Sequence, residues 1–181
     1  MKNVFPFQQI FLIILVCIAK SVSSQDNIKF PTPTGNPNQL FYIQHSPNAN
    51  TFVYELNLKN SEPDSTGPVH VFEIRYADKS QKTELSSVQW KYAYGILTKF
   101  ISADDYEMRF LSRKDFVMHL KKDADNKYHV YAPINQKPAI LSHIFLQING
   151  GTFWSPNIEF VFLYGIDPAT AKEVSEKLKL K

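Results

Sequence analysis

The chain has 181 residues, 44% of them hydrophobic and 14% aromatic, and carries a formal net charge of +3. With 20 basic against 17 acidic residues, the balance argues against a nucleic-acid partner or a membrane surface held by charge. One cysteine rules out an internal disulfide framework.

Residues 1–24 are laid out as a secretory signal peptide. Lys2 supplies the positive start, Ile10 to Ala19 form an unbroken apolar run, and Ser21-Val22-Ser23-Ser24 supply small residues for cleavage before Gln25. A spanning helix needs about 20 apolar residues, and this run is closed by Lys20. Val16 stands where a lipoprotein signal carries a small residue, and Ile18-Ala19 extend the apolar run past Cys17, so lipidation is not expected. The expected mature chain, 25–181, is an exported, periplasmic or secreted, cysteine-free domain with no membrane span. Losing Lys2 and Lys20 without any acid lowers its formal charge to +1. Disulfides, thiol catalysis and cysteine-containing zinc sites are then excluded.

Residues 25–39 contain Pro31, Pro33, Pro37 and Gly35 without periodicity and read as an extended arm. The domain proper, 40–181, opens on a β-hairpin over 40–58. Alternation runs through Leu40 to Ile43, breaks at Ser46-Pro47-Asn48-Ala49-Asn50, and resumes at Thr51. Phe52, Tyr54, Leu56 and Leu58 share one face of the second strand, and Thr51, Val53, Glu55 and Asn57 the other. Residues 69–76 form the next strand, with His70, Phe72, Ile74 and Tyr76 opposite Val69, Val71, Glu73 and Arg75.

Residues 83–94 fit two periods. Leu85, Val88 and Tyr92 have helical spacing, whereas Val88, Trp90, Tyr92 and Tyr94 alternate as a strand. Ser86 and Gln89 have the spacing of a capping box, which favours the helix. Beyond Gly95, strands are expected at 96–101, 106–112, 115–122, 128–133, 140–148 and 158–165, separated by short polar breaks. Connections this short force sequence neighbours to pair antiparallel. Asp167-Pro168 looks like an N-cap followed by proline at the first helical position, so 169–180 reads as a terminal helix. Its Ala171, Val174 and Leu178 would face inward. The expected fold is mainly β: a curved antiparallel sheet or partly closed barrel of about nine strands, with one mid-chain and one C-terminal helix. A two-sheet sandwich is the alternative.

No G-x-S-x-G elbow, phosphate-cradling glycine loop or H-E-x-x-H occurs, and no two of the five histidines have ligand spacing. No catalytic residue, metal or cofactor is therefore expected. His70 and His143 read as core histidines with one bonded nitrogen. Glu55, Glu73 and Arg75 could converge from adjacent strands. If they faced a cavity, Arg75 would be the natural anchor for a carboxylate or phosphate. Cross-strand ion pairing at a solvated face is the plainer account. Trp154, in the loop 150–156, is a candidate binding contact or a plug for one end of the sheet.

The stretches NPNQLFYIQHSPNANTFVYELN, PVHVFEIRYAD, WKYAYG and SPNIEFVFLYGID together resemble an uncharacterised family of exported bacterial domains known only as a domain of unknown function. The resemblance runs from about Asn36 to Val174. It implies secretion and a single compact domain, and carries no activity and no site residues.

Three functional readings follow. The first is a non-catalytic binding domain that takes an apolar or amphipathic ligand, or a partner segment, in an aromatic-lined concavity. The second is a periplasmic enzyme built on Glu55, Glu73, Arg75 and His45. The third is a solid-core module that recognises protein or glycan through its edges and loops.

Overall fold

The computed structural model describes residues 30–152 and 155–179. Residues 1–24, where a signal peptide is expected, include Cys17 and lie outside the described residues, as does Trp154.

The expected hairpin is present as β1 (Gln39–His45) and β2 (Asn48–Leu56), paired antiparallel. β3 (Leu58–Lys59) and β4 (Glu62–Pro63) form a small separate ribbon. β5 (Val69–Arg75) returns against β2, and β6 (Gln81–Glu84) against β5. The helix α1 follows, with an α-turn over Ser87–Gln89 that continues as a π-turn over Trp90–Tyr94. It begins with the expected capping box: Ser86 Oγ accepts from the Gln89 amide, and Gln89 Oε1 accepts from the Ser86 amide. It ends where the Gly95 amide donates to the Trp90 carbonyl at 3.0 Å. A Cβ at Gly95 would run into that carbonyl, so the exit from the helix requires glycine.

A meander then runs through β7 (Ile96–Ser102), β8 (Asp105–Phe110), β9 (Val117–Lys122) and β10 (Tyr128–Ile134) to the long β11 (Lys137–Gly151). β12 (Pro156–Ile166) and β13 (Glu173–Lys179) close the described chain. The short connections pair sequence neighbours antiparallel, as expected.

β11 is the junction of the fold. One of its edges is taken by β12. Its other edge is shared: residues 137–140 pair with β10, and 143–146 run parallel to β1. Two arms therefore leave the same edge, β1-β2-β5-β6 and β10-β9-β8-β7, giving a curled nine-strand half-barrel with β12 and β13 branching off. The parallel β1–β11 pair joins segments about a hundred residues apart, beyond the reach of local pattern.

The arms share one core. Phe41, Phe52, Tyr54 and Val71 from the first meet Met108, Phe110, Met118, Leu120 and Val130 from the second. Phe41 stacks on Tyr54 at 4.2 Å, and Phe110 meets both rings edge-on. Burying each of these large side chains contributes about 1.5–3 kcal/mol.

Three expectations require correction. The C-terminal helix is instead the strand β13, paired with β12 along its whole length. Val174, Glu176 and Leu178 alternate with exposed Glu173, Ser175, Lys177 and Lys179, and Val174 and Leu178 pack on the core. Asp167 does not cap a helix. Its Oδ1 accepts from the Ala169 amide in a turn that Ala171 closes at φ 54°, and the Asp167 amide donates to the Lys172 carbonyl.

The second correction concerns β2, which has two buried faces rather than one. Phe52 and Tyr54 enter the main core, while Val53, fully buried, joins Tyr42 and Phe72 in a smaller cluster on the outer face. The N-terminal arm lies along that face. Gln44 Nε2 donates to the Pro31 carbonyl at 2.9 Å, Phe30 meets Phe145 edge-on, and Pro33 is buried. Leu58 leaves the hairpin for β3 and is exposed.

The third is that neither His70 nor His143 is a core histidine. His70 has both ring nitrogens bonded, to Glu55 at 2.8 Å and Glu84 at 2.9 Å. His143 lies on the outer face, stacked between Tyr42 and Tyr164.

Candidate functional site

Where the two arms diverge from β11, the half-barrel holds an open cleft of about 1240 Å³. Strand alternation builds its apolar wall from Ile43, Phe52, Phe110, Phe116, Ile144, Leu146, Val161 and Leu163. Leu178 of β13 also reaches it, so the terminal strand contributes to the cleft although it is not a helical cover.

One end of the cleft is polar. Phe52 lies opposite Glu73 in the β2–β5 register, so Glu73 faces inward, between Val71 and Arg75 on that face of β5. Its carboxylate is 4% exposed and takes three donors: Asn50 Nδ2 at 2.9 Å, Arg75 Nε at 3.0 Å and Gln89 Nε2 at 3.3 Å. The buried charge is thus paired and hydrogen-bonded on both oxygens, the condition under which it is tolerated. Tyr94, held by α1, stacks on Phe52 at 3.4 Å between ring centres, and its carbonyl accepts from Tyr54 Oη at 2.8 Å. Burial first, and the Glu73 charge second, push the Tyr94 hydroxyl far above its ordinary pKa.

His45 completes this end. It is 9% exposed, tilted against Phe52, and its Nδ1 is buried without a hydrogen-bond partner among the described residues. Burial lowers its pKa from the ordinary 6.5, against the opposing pull of Glu73. The imidazole is therefore neutral near pH 7, with one N–H and one acceptor nitrogen.

The candidate residues separate accordingly. Glu73 lines the cleft; Arg75 bonds it but is not part of the wall. Glu55 points to the opposite face, where it pairs with His70 and Asn36, because its register partner is His70 and not Glu73. The proposed convergence of Glu55, Glu73 and Arg75 does not occur. Trp154 lies outside the described residues, although Gly150, Gly151, Thr152 and Pro156 around it line the cleft rim. Sequence reasoning missed Asn50, Gln89 and Tyr94. The capping-box spacing that located Gln89 gave no sign that its amide also reaches Glu73.

Among the described residues, one group has the composition of a metal site: Asp123, Asp125 and His129, with ligand atoms within 4.8 Å of one another at the β9–β10 turn. Counting histidine pairs alone overlooked it. Its atoms are already engaged, since Tyr131 Oη donates to both Asp123 oxygens at 2.6 and 2.7 Å and Lys127 pairs with Asp125. No helix of the described residues is long and apolar enough to cross a membrane.

Residues 41–177 match the family described as Domain of unknown function (DUF4833). That match covers most of the chain, and the protein belongs to this family. No curated protein and no solved structure matches it.

Proposed function

We propose that the protein is an exported, non-catalytic binding domain that holds an apolar or amphipathic ligand in the cleft of its half-barrel. One observation carries this reading: a cleft of about 1240 Å³ with a largely apolar wall and a polar group at His45, Asn50, Glu73 and Gln89. Ligand sites combine these features, a large apolar surface for affinity and a few placed polar groups for orientation. Export rests on the character of residues 1–24. The pairing of Glu73 with Arg75, and the placing of Glu55 on the far face, count against an acid–base site assembled from these groups.

Native mass spectrometry of protein purified from its own host tests the reading. A co-purifying apolar or amphipathic species is the expected result. A bare chain, together with no uptake of alkyl probes or hydrophobic dye, overturns it.

A second reading rests on β7, the terminal strand of its arm, which leaves Phe100 60% and Ile101 47% exposed. An open edge with exposed apolar side chains suits pairing with a partner strand. Phe100→Lys would then abolish a partner's binding and leave cleft ligands untouched.

A further inference from the structure

We propose that His45 is the residue that recognises the ligand's head group, and that the head group is an uncharged hydroxyl on a hydrocarbon body. The inference rests on the cleft being a ligand site and names the class of ligand it takes. Within the cleft's polar end, the carboxylate and the amide beside it are already engaged. The two Glu73 oxygens accept from Asn50, Arg75 and Gln89, and Gln89 Oε1 is bound to the Ser86 amide. His45 differs from these: its Nδ1 is the one fully buried side-chain nitrogen or oxygen without a partner among the described residues. A buried polar atom left unpaired carries a desolvation cost that an occupant relieves by bonding to it. Rotation about the Cβ–Cγ bond exchanges the two edges of the ring, so an arriving head group can draw either nitrogen toward it.

The charges nearby select the head group. A carboxylate would bring a second negative charge beside Glu73, while Arg113, the cation on the cleft wall, is already held by both oxygens of Asp115. An ammonium would meet a carboxylate that Arg75 already neutralises, and would lose its hydration for little in return. A hydroxyl adds no charge and can either donate to the neutral imidazole or accept from it. Burial keeps the ring in that neutral form. Ile43, Phe52, Ile144 and Leu146 around it receive the hydrocarbon.

The test uses 1-decanol, decanoate and decylammonium, three probes with one alkyl chain and different heads. Each is titrated against the full chain by dye displacement and by calorimetry. The wild type should bind 1-decanol most tightly. His45→Phe, which keeps the ring volume and removes both nitrogens, should weaken 1-decanol roughly five- to ten-fold, the worth of one neutral hydrogen bond, and leave decanoate unchanged. His45→Gln, which restores a donor and an acceptor, should recover part of the loss. Thermal melts check that both variants fold; if neither does, the wild-type order of the three probes decides. Equal binding of all three heads by the wild type, or an undiminished affinity of folded His45→Phe for 1-decanol, overturns the assignment of His45 and leaves the cleft reading standing. Failure of every probe to bind the wild type overturns the cleft reading, and this inference falls with it.

Discussion

Gln89 bonds Glu73 and its own helix cap at once: Nε2 donates to Glu73 Oε2 at 3.3 Å, while Oε1 accepts from the Ser86 amide at 2.9 Å. A local capping device thereby fixes α1, and with it Tyr94, over the polar end of the cleft. The link adds to the Tyr94–Phe52 stack and to the bonds that Tyr54 Oη and Ser112 Oγ donate to the Tyr94 and Ala93 carbonyls, which hold a helix too short to be stable alone in water.

Gln89→Ala should cost about 1–2 kcal/mol, combining a lost cap with a lost bond to a carboxylate. Ser86→Ala should cost about 1 kcal/mol, and the double variant less than the sum, because the two residues share the capping box. Urea unfolding of the four proteins measures the coupling. Additive losses would mean that the box does not act as a unit.

The two faces of β2 give a second prediction. Val53 is fully buried in the outer cluster, so Val53→Thr places an unpartnered hydroxyl in an apolar site and should cost about 1–3 kcal/mol. Leu56 is only half-buried, and Leu56→Ala should fall toward the lower end of the 2–5 kcal/mol typical of such truncations. Denaturant midpoints for the two variants check this. A negligible loss at Val53 would show that the arm does not cover the outer face.

The histidines predict opposite pH dependences. Burial alone would depress His70, but the hydrogen bonds its ring donates to Glu55 and Glu84 outweigh it and raise the pKa above 6.5. A raised folded pKa gives stability that is fully present below 6.5 and is lost as pH rises through the folded value. His45 is shifted the other way by burial, so its contribution is present above 6.5 and is lost as pH falls through the lowered folded value. The stability gap between wild type and His70→Gln should therefore shrink on going from pH 6 toward pH 8. That between wild type and His45→Phe should move in the wild type's favour over the same range. Side-chain exposure of 39% at His70 screens its pair and keeps that effect small. Thermal melts across this range test both signs.

Much of this fold was legible because local signals agreed with tertiary structure. Pro and Asn at 47–50 separated β1 from β2, Ser86 and Gln89 marked the helix start, and short polar breaks set out the meander. The C-terminal segment misled because Val174 and Leu178, four residues apart, satisfy the helical and the strand period equally, and Glu176 between them hides the alternation. Glu176 sits inward for a reason outside its own segment: its carboxylate accepts from the Asn135 amide in the β10–β11 turn. The site was only half legible for a related reason. Alternation correctly placed Glu73 and Arg75 on one face of β5, but the β2–β5 register decides that Glu55 lies on the other side of the sheet. A one-residue slip would reverse that. The long-range arrival of β11 beside β1, which places His45 in a cleft, has no local sequence signal at all.

The terminal strand carries the last prediction. β13 pairs with β12 from Glu173 to Lys179, and Lys177 Nζ lies 3.6 Å above the centre of the Phe160 ring and 5.3 Å from that of Phe162. Val174 and Leu178 cover part of the apolar core, and Asn135 Nδ2 donates to the Ser175 carbonyl, tying the strand to the β10–β11 turn. Truncation after Asp167 should leave the two arms and their shared core folded, since the strand pairings within each arm and to β11 do not involve β13. It should also uncover Val161 and Leu163 and leave the inner edge of β12 unpaired. The truncated chain should bind a hydrophobic dye and self-associate through that open edge, a behaviour a lost surface helix would not produce. Dye fluorescence and light scattering at several protein concentrations separate these effects. A truncated protein that stays monomeric, binds no dye and unfolds at the same denaturant concentration as the full chain would show that β13 contributes neither to the sheet nor to the cleft wall.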